Sequence, residues 1–169
     1  MTVIAKSNPV GIDKSILRFQ NELEGMRWSN TDIHGRLYIN KRKDDTILEA
    51  YRPTVINNEV FLDDAKTAVL GFVADDSRDG GTRIKTNVTL ICSVDLDKLY
   101  TSDTRDDEEA LMETMEAIMF LIQDKESIKI STGIEKVFSM VSWERYESRN
   151  QQPWFNFSIS FDLFYKNLI

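Results

Sequence analysis

The stretch WFNFSISFDLFYK runs from Trp154 to Lys166. Its odd positions from Phe155 to Tyr165 are Phe, Phe, Ile, Phe, Leu and Tyr, and the even positions between them are Asn, Ser, Ser, Asp and Phe. Alternation of period two is the pattern of a strand with one apolar face. Such a face must be covered by a second layer, so the chain has to build a sheet with something packed over it. Exposed strand aromatics can also form a platform for stacked bases. The strictness of the alternation favours the core reading here. On the opposite face Trp154 and Phe164 break the polar pattern, which makes them candidates for contact with a neighbouring subunit.

Two helices have the apolar stripes needed to cover that sheet. Ile12, Ile16, Phe19, Leu23 and Met26 fall four, three, four and three apart, with Asp13 placed to cap the start and Gly25 near the end. Leu111, Met115, Ile118 and Ile122 form the second stripe, widened by Met112, Met119 and Leu121. Thr104 is the expected N-cap of that helix. Asp106, Asp107, Glu108 and Glu109 then fill its first turn, where the helix dipole favours carboxylates. The methionines read as core filler.

The other strands are shorter or mixed. GRLYINKRKDD and TILEAYRPTVI read as a hairpin turned by Lys41, Arg42, Lys43, Asp44 and Asp45. That charged run is either a solvated tip or a loop that touches a partner subunit or a passing polyanion. KTAVLGFVADD reads as an apolar strand. RIKTNVTLICSVDL alternates cleanly, with Ile84, Val88, Leu90, Cys92, Val94 and Leu96 on one face and Ile91 as the exception on the other. IKISTGIEKVFSMVSWERYE is read as a strand bent or bulged at Gly133, paired with the last strand. The expected fold is α+β: an antiparallel sheet with the two amphipathic helices on one face. Residues 1–11 form a loose N-terminal arm and residues 12–169 a single domain.

The chain carries little that resembles a reaction centre. Its only cysteine, Cys92, lies on an apolar strand face, and its only histidine, His34, sits beside a turn glycine with no local partner. One cysteine allows no intramolecular disulfide and fits a reducing compartment. Phosphate-cradling, dinucleotide, zinc-protease and nucleophile-elbow patterns are missing. Asp75, Ser77, Asp79 and Gly80 match the first positions of a calcium loop, but Thr86 stands where the bidentate Glu belongs and the flanks are strands. Those residues therefore read as a hairpin turn. The pairs Asp44–Asp45, Asp63–Asp64, Asp75–Asp76 and Asp106–Asp107 are the only motive for a carboxylate-dependent metalloenzyme. No catalytic residue, cofactor or metal is expected. The 28 acidic and 21 basic side chains give a net charge of −7, which argues against general nucleic-acid binding. No apolar run approaches the roughly 20 residues that span a bilayer, so no membrane partner is expected.

Between Ile12 and Lys166 the chain resembles tailed-bacteriophage neck and tail proteins. The stretches that carry the likeness are GRLYINKRKDDTILEAYRP, EVFLDDAKTAVLGFVADD, IKTNVTLICSVDLDKLY and WFNFSISFDLFYKNL. The nearest group is the tail-terminator or tail-completion family, including ring proteins of phages infecting Bacteroides. The resemblance rests on element order and texture and has no invariant motif. It implies a structural ring subunit of six or twelve copies, stacked between portal and tail in the virion after assembly in the host cytoplasm. DNA would only pass through the lumen. It also implies contacts through extended loops, here Lys41, Arg42 and Lys43 at the hairpin tip, the Asn57–Asp64 segment, Asp75, Asp76 and Asp79 in the turn, and the N-terminal arm. The alternative is an α+β binding or adaptor module unrelated to virions.

Overall fold

The computed structural model describes residues 1–51, 56–58, 60–100 and 106–166. Its centre is an eight-stranded sheet. The strands are β1 (Thr2–Ile4), β2 (Thr31–Lys41), β3 (Thr46–Tyr51), β4 (Ile56–Asn58), β5 (Ala68–Ala74), β6 (Arg83–Asp95), β7 (Lys129–Thr132) and β8 (Trp154–Lys166). The order across the sheet is β4-β3-β2-β5-β6-β8-β7, with β1 beside β2. The longest pairing joins β6 to β8 from Arg83↔Lys166 to Asp95↔Trp154.

The two expected helices, α1 (Ile12–Glu24) and a second one over Asp107–Met119, lie on one face. Between them comes a single helical turn, α2 (Leu96–Leu99), so the second long helix is α3. Ile12, Ile16, Phe19 and Leu23 of α1 pack with Leu111, Met115 and Ile118 of α3 over Leu70, Phe72, Leu90, Cys92, Phe157, Ile159, Phe161 and Leu163. Phe19 stacks on Phe161 at 5.0 Å between ring centroids. The aromatic face of β8 is therefore the floor of the main core.

The capping differs from expectation at both helices. Gly11, at φ +54°, precedes α1, and no side chain caps it. Asp13 instead faces Arg36 and Lys6. The Asp106 carboxylate caps α3 by accepting from the N–H groups of Glu108 and Glu109. Thr104 lies outside the described residues.

Three further features depart from the sequence reading. First, the sheet is mixed, because β2 runs parallel to both β1 and β5. After the β2–β3–β4 meander the chain returns to the far edge of β2, and the 3-10 turn Val60–Leu62 carries it over. A strand entering after that crossover runs parallel. Second, residues 2–4 of the expected loose arm form a strand.

Third, part of the opposite sheet face is also covered. Only Lys129–Thr132 of the segment expected as a strand from Ile128 to Glu147 is extended. Gly133, at φ +87°, then turns the chain into α4 (Ile134–Val137), followed by a 3-10 helix over Trp143–Arg149. Ile134, Val137, Phe138, Val141 and Tyr146 pack on Leu37, Leu48, Val69, Val73 and Ile91 to form a second core. Ile91, the exception in the alternation of β6, is fully buried there.

A bulge in β2 lets one strand serve both cores. Ile33 pairs with Leu70 and Arg36 with Phe72, so His34 and Gly35 stand opposite Gly71 alone. The extra residue reverses the side-chain phase: Ile33 belongs to the helix-side core and Leu37 to the other. Gly71 makes room for Leu37, whose Cδ1 would lie 2.5 Å from an added Cβ.

Candidate subunit-contact surfaces

β2, β5 and β8 run in the same direction, so their C-terminal ends share one end of the sheet. The hairpin tip follows Lys41, the acidic turn follows Ala74, and Phe164 is near the end of β8. The fold thus gathers Lys41, Arg42, Lys43, Asp75, Asp76, Asp79 and Phe164 at one end. Trp154 stands at the opposite end of β8, about 33 Å from Phe164 along ten strand residues. The two back-face aromatics do not form one patch.

The tip projects beyond the end of the β2–β5 pairing. Pairing of β2 with β5 stops at Leu37 and pairing with β3 continues to Lys41, an overhang of about 13 Å. Lys41, Arg42, Lys43 and Asp44 are exposed. The base is held rigidly: Ser142 Oγ accepts from Thr46 N–H at 2.9 Å, Ser142 N–H donates to Thr46 O at 2.9 Å, and Arg145 pairs with Asp45. Arg42 also reaches Glu49 at 3.2 Å. Exposed Ile39 adds an apolar side chain to the overhang.

The Asp75–Gly81 segment closes on itself. Asp75 Oδ1 accepts from Ser77 N–H at 3.1 Å, an Asx turn, and the backbones of Asp79 and Lys85 exchange hydrogen bonds at 3.1 and 2.8 Å. Arg78 crosses the loop to Thr86 Oγ1 at 3.0 Å. Among the described residues no group of three or more His, Cys, Asp or Glu side chains is arranged to hold a metal ion.

Both back-face aromatics are met by cations of the same chain. Arg83 and Lys85 lie 4.7 and 5.9 Å from the Phe164 ring centroid. Lys85 Nζ also pairs with Asp162 at 2.8 Å. That hydrogen bond and charge raise the Lys85 pKa, and the same bond, with a second from Asn87, lowers that of Asp162. A polar ladder extends from this pair, with Ser160 Oγ donating to Asn87 Oδ1 at 2.8 Å.

Arg149, only 1% exposed, lies 3.5 Å from the Trp154 ring centroid. Burial lowers its pKa, and the carboxylates of Asp64 and Asp95 oppose that shift. Arg149 Nη2 is 2.9 Å from Asp64 Oδ1, an ion pair. Among the described residues its Nε and Nη1 have no hydrogen-bond partner, nor do Ser93 Oγ and Asn156 Oδ1. Ser93 and Asn156 are paired across β6 and β8.

Sequence reasoning missed the sheet edge. β7 pairs with β8 on one side and is the last strand in the order. Ile130 within it is 46% exposed. Cys92 is fully buried, and burial pushes its thiol pKa well up, so it is an unreactive core residue. Among the described residues no helix is long and apolar enough to cross a membrane. Comparison of the chain with protein-family models, curated proteins and solved structures found no match.

Proposed function

We propose that this chain is a structural subunit of a closed ring in the neck or tail of a tailed bacteriophage, joining the portal side to the tail and forming part of the DNA conduit. The observation that carries the reading is the pair of dissimilar sheet edges. β7 ends the sheet on one side and β4 on the other, roughly 29 Å away across six strand spacings. A contact between one edge of a copy and the other edge of the next is heterologous, and heterologous contacts close into rings when the rotation permits. The exposed backbone and Ile130 of β7 suit such an edge contact.

The clustering of tip, acidic turn and Phe164 at one end supports a second contact, made along the ring axis to a neighbouring ring. The net charge of −7 per chain, repeated around a lumen, keeps DNA from adhering to the wall. Native mass spectrometry of the chain, alone and mixed with neighbouring virion proteins, tests the reading. A closed oligomer of six or twelve copies is expected. A strict monomer under both conditions would favour the adaptor alternative and end the ring proposal.

A further inference from the structure

A cavity of about 480 Å³ lies where α1, the segment 4–9 and the middle of β2 meet. β1 and β3 occupy the same edge of β2 end to end, and this creates the opening. β1 pairs as far as His34, and β3 pairs from Leu37 onward. Gly35 and Arg36 fall in the seam, at the bulge.

Gln20 forms the floor and is only 1% exposed. Its Nε2 donates to Ile4 O at 3.1 Å and to Ile33 O at 2.9 Å. Two carbonyl acceptors fix the amide's orientation, so Oε1 must point the other way. It lies beside Gly35, 3.5 Å from where a Cβ would stand. Among the described residues no donor reaches it. Oε1 opens onto the cavity, where it is an acceptor that a bound donor can reach.

The mouth carries charge. Arg36 Nη2 donates to Asp13 Oδ2 at 3.2 Å, and Lys6 Nζ lies 3.5 Å from the same oxygen. Two cations against one carboxylate leave an excess positive charge. Lys6 is 62% exposed, at the rim of the opening. Ile16 and Leu17 supply an apolar wall between mouth and floor.

We propose that this cavity binds a small amphipathic carboxylate with a hydrogen-bond donor at its far end. The donor meets Gln20 Oε1, the apolar body lies on Ile16 and Leu17, and the carboxylate meets Lys6 and the outer N–H groups of Arg36. The volume suits a ligand of this size. The inference does not depend on ring assembly, since the cavity lies within one chain.

The test is calorimetric titration of the full chain with 4-hydroxyphenylacetate, followed by a crystal soaked in the same compound. Saturable binding with a dissociation constant on the order of 1 mM is expected for about eleven heavy atoms. Phenylacetate, lacking the hydroxyl, should bind roughly fivefold more weakly, which is a typical loss for one hydrogen bond. Tyramine, with a cation in place of the carboxylate, should not bind. Lys6→Ala should weaken the acid several-fold with an unchanged melting temperature. No saturation up to about 20 mM, equal binding of tyramine, or density for the acid outside the seam would overturn the proposal.

Discussion

Gly71 is the residue on which the two-core arrangement turns. It faces Leu37 across β2 and β5, and an added Cβ would come within 2.5 Å of the leucine Cδ1. Gly71→Ala is expected to cost about 1–3 kcal/mol, the range for overpacking a core, measured by urea denaturation. A double variant with Leu37→Ala should be less destabilised than the sum of the two single changes, since the clash is then absent. The Lys85–Asp162 pair makes a pH prediction at the same scale. The folded-state pKa of Asp162 is lowered, so its stabilising contribution is present above the unfolded value of about 3.9 and is lost as pH falls through the lower folded value. Lys85 is raised, so its contribution is present below about 10.4 and is lost as pH rises through the higher folded value. Melting temperatures of wild type and Asp162→Asn, measured from pH 2 to 11, should differ most between those limits and draw closer toward both extremes. A constant offset across the range would remove the pair as the cause.

At the scale of elements, long periodic segments were legible and short ones were not. α1, α3, β6 and β8 each run thirteen residues, enough for a stripe or an alternation to stand out. The sequence pattern after Gly133 suggests a strand, yet the segment folds as one helical turn and a 3-10 helix. Isolated helices this short are not stable in water, and what holds them is burial of Ile134, Val137 and Phe138 against the sheet. The three, one and three spacing of Ile134, Val137, Phe138 and Val141 was the available signal. Phe138 stacks on Tyr146 at 4.0 Å and meets Phe61 edge-on at 5.4 Å. Phe138→Ala is therefore expected to cost about 3–5 kcal/mol. Hydrogen exchange should rise across the 134–149 cover and β3 more than in α1. If exchange instead rises evenly, the back-face cover is not a separate unit of packing.

At the scale of the whole molecule, the edge strand is the feature that a ring would use. Ile130→Lys places a charge on the exposed side of β7 without touching either core, and charged edge residues oppose strand addition. It should leave the melting temperature of the monomer within about 1 °C while shifting assembly toward monomer by at least tenfold in concentration, read by sedimentation or native mass spectrometry. An unchanged assembly would move the subunit contact away from β7. The sequence by itself determined that two amphipathic helices cover one apolar sheet face, because side-chain periodicity is a local property of the chain. It also determined that Cys92 and the odd positions of β8 belong to the core. Only the tertiary structure decided that β2 lies parallel to β5, since alternation specifies which face is apolar and not the direction of the neighbour. It alone decided that Ile91 is core, that the tip, acidic turn and Phe164 share one end while Trp154 does not, and that Gln20 faces a seam between β1 and β3. Each of these depends on contacts between residues distant in sequence, which no local pattern encodes.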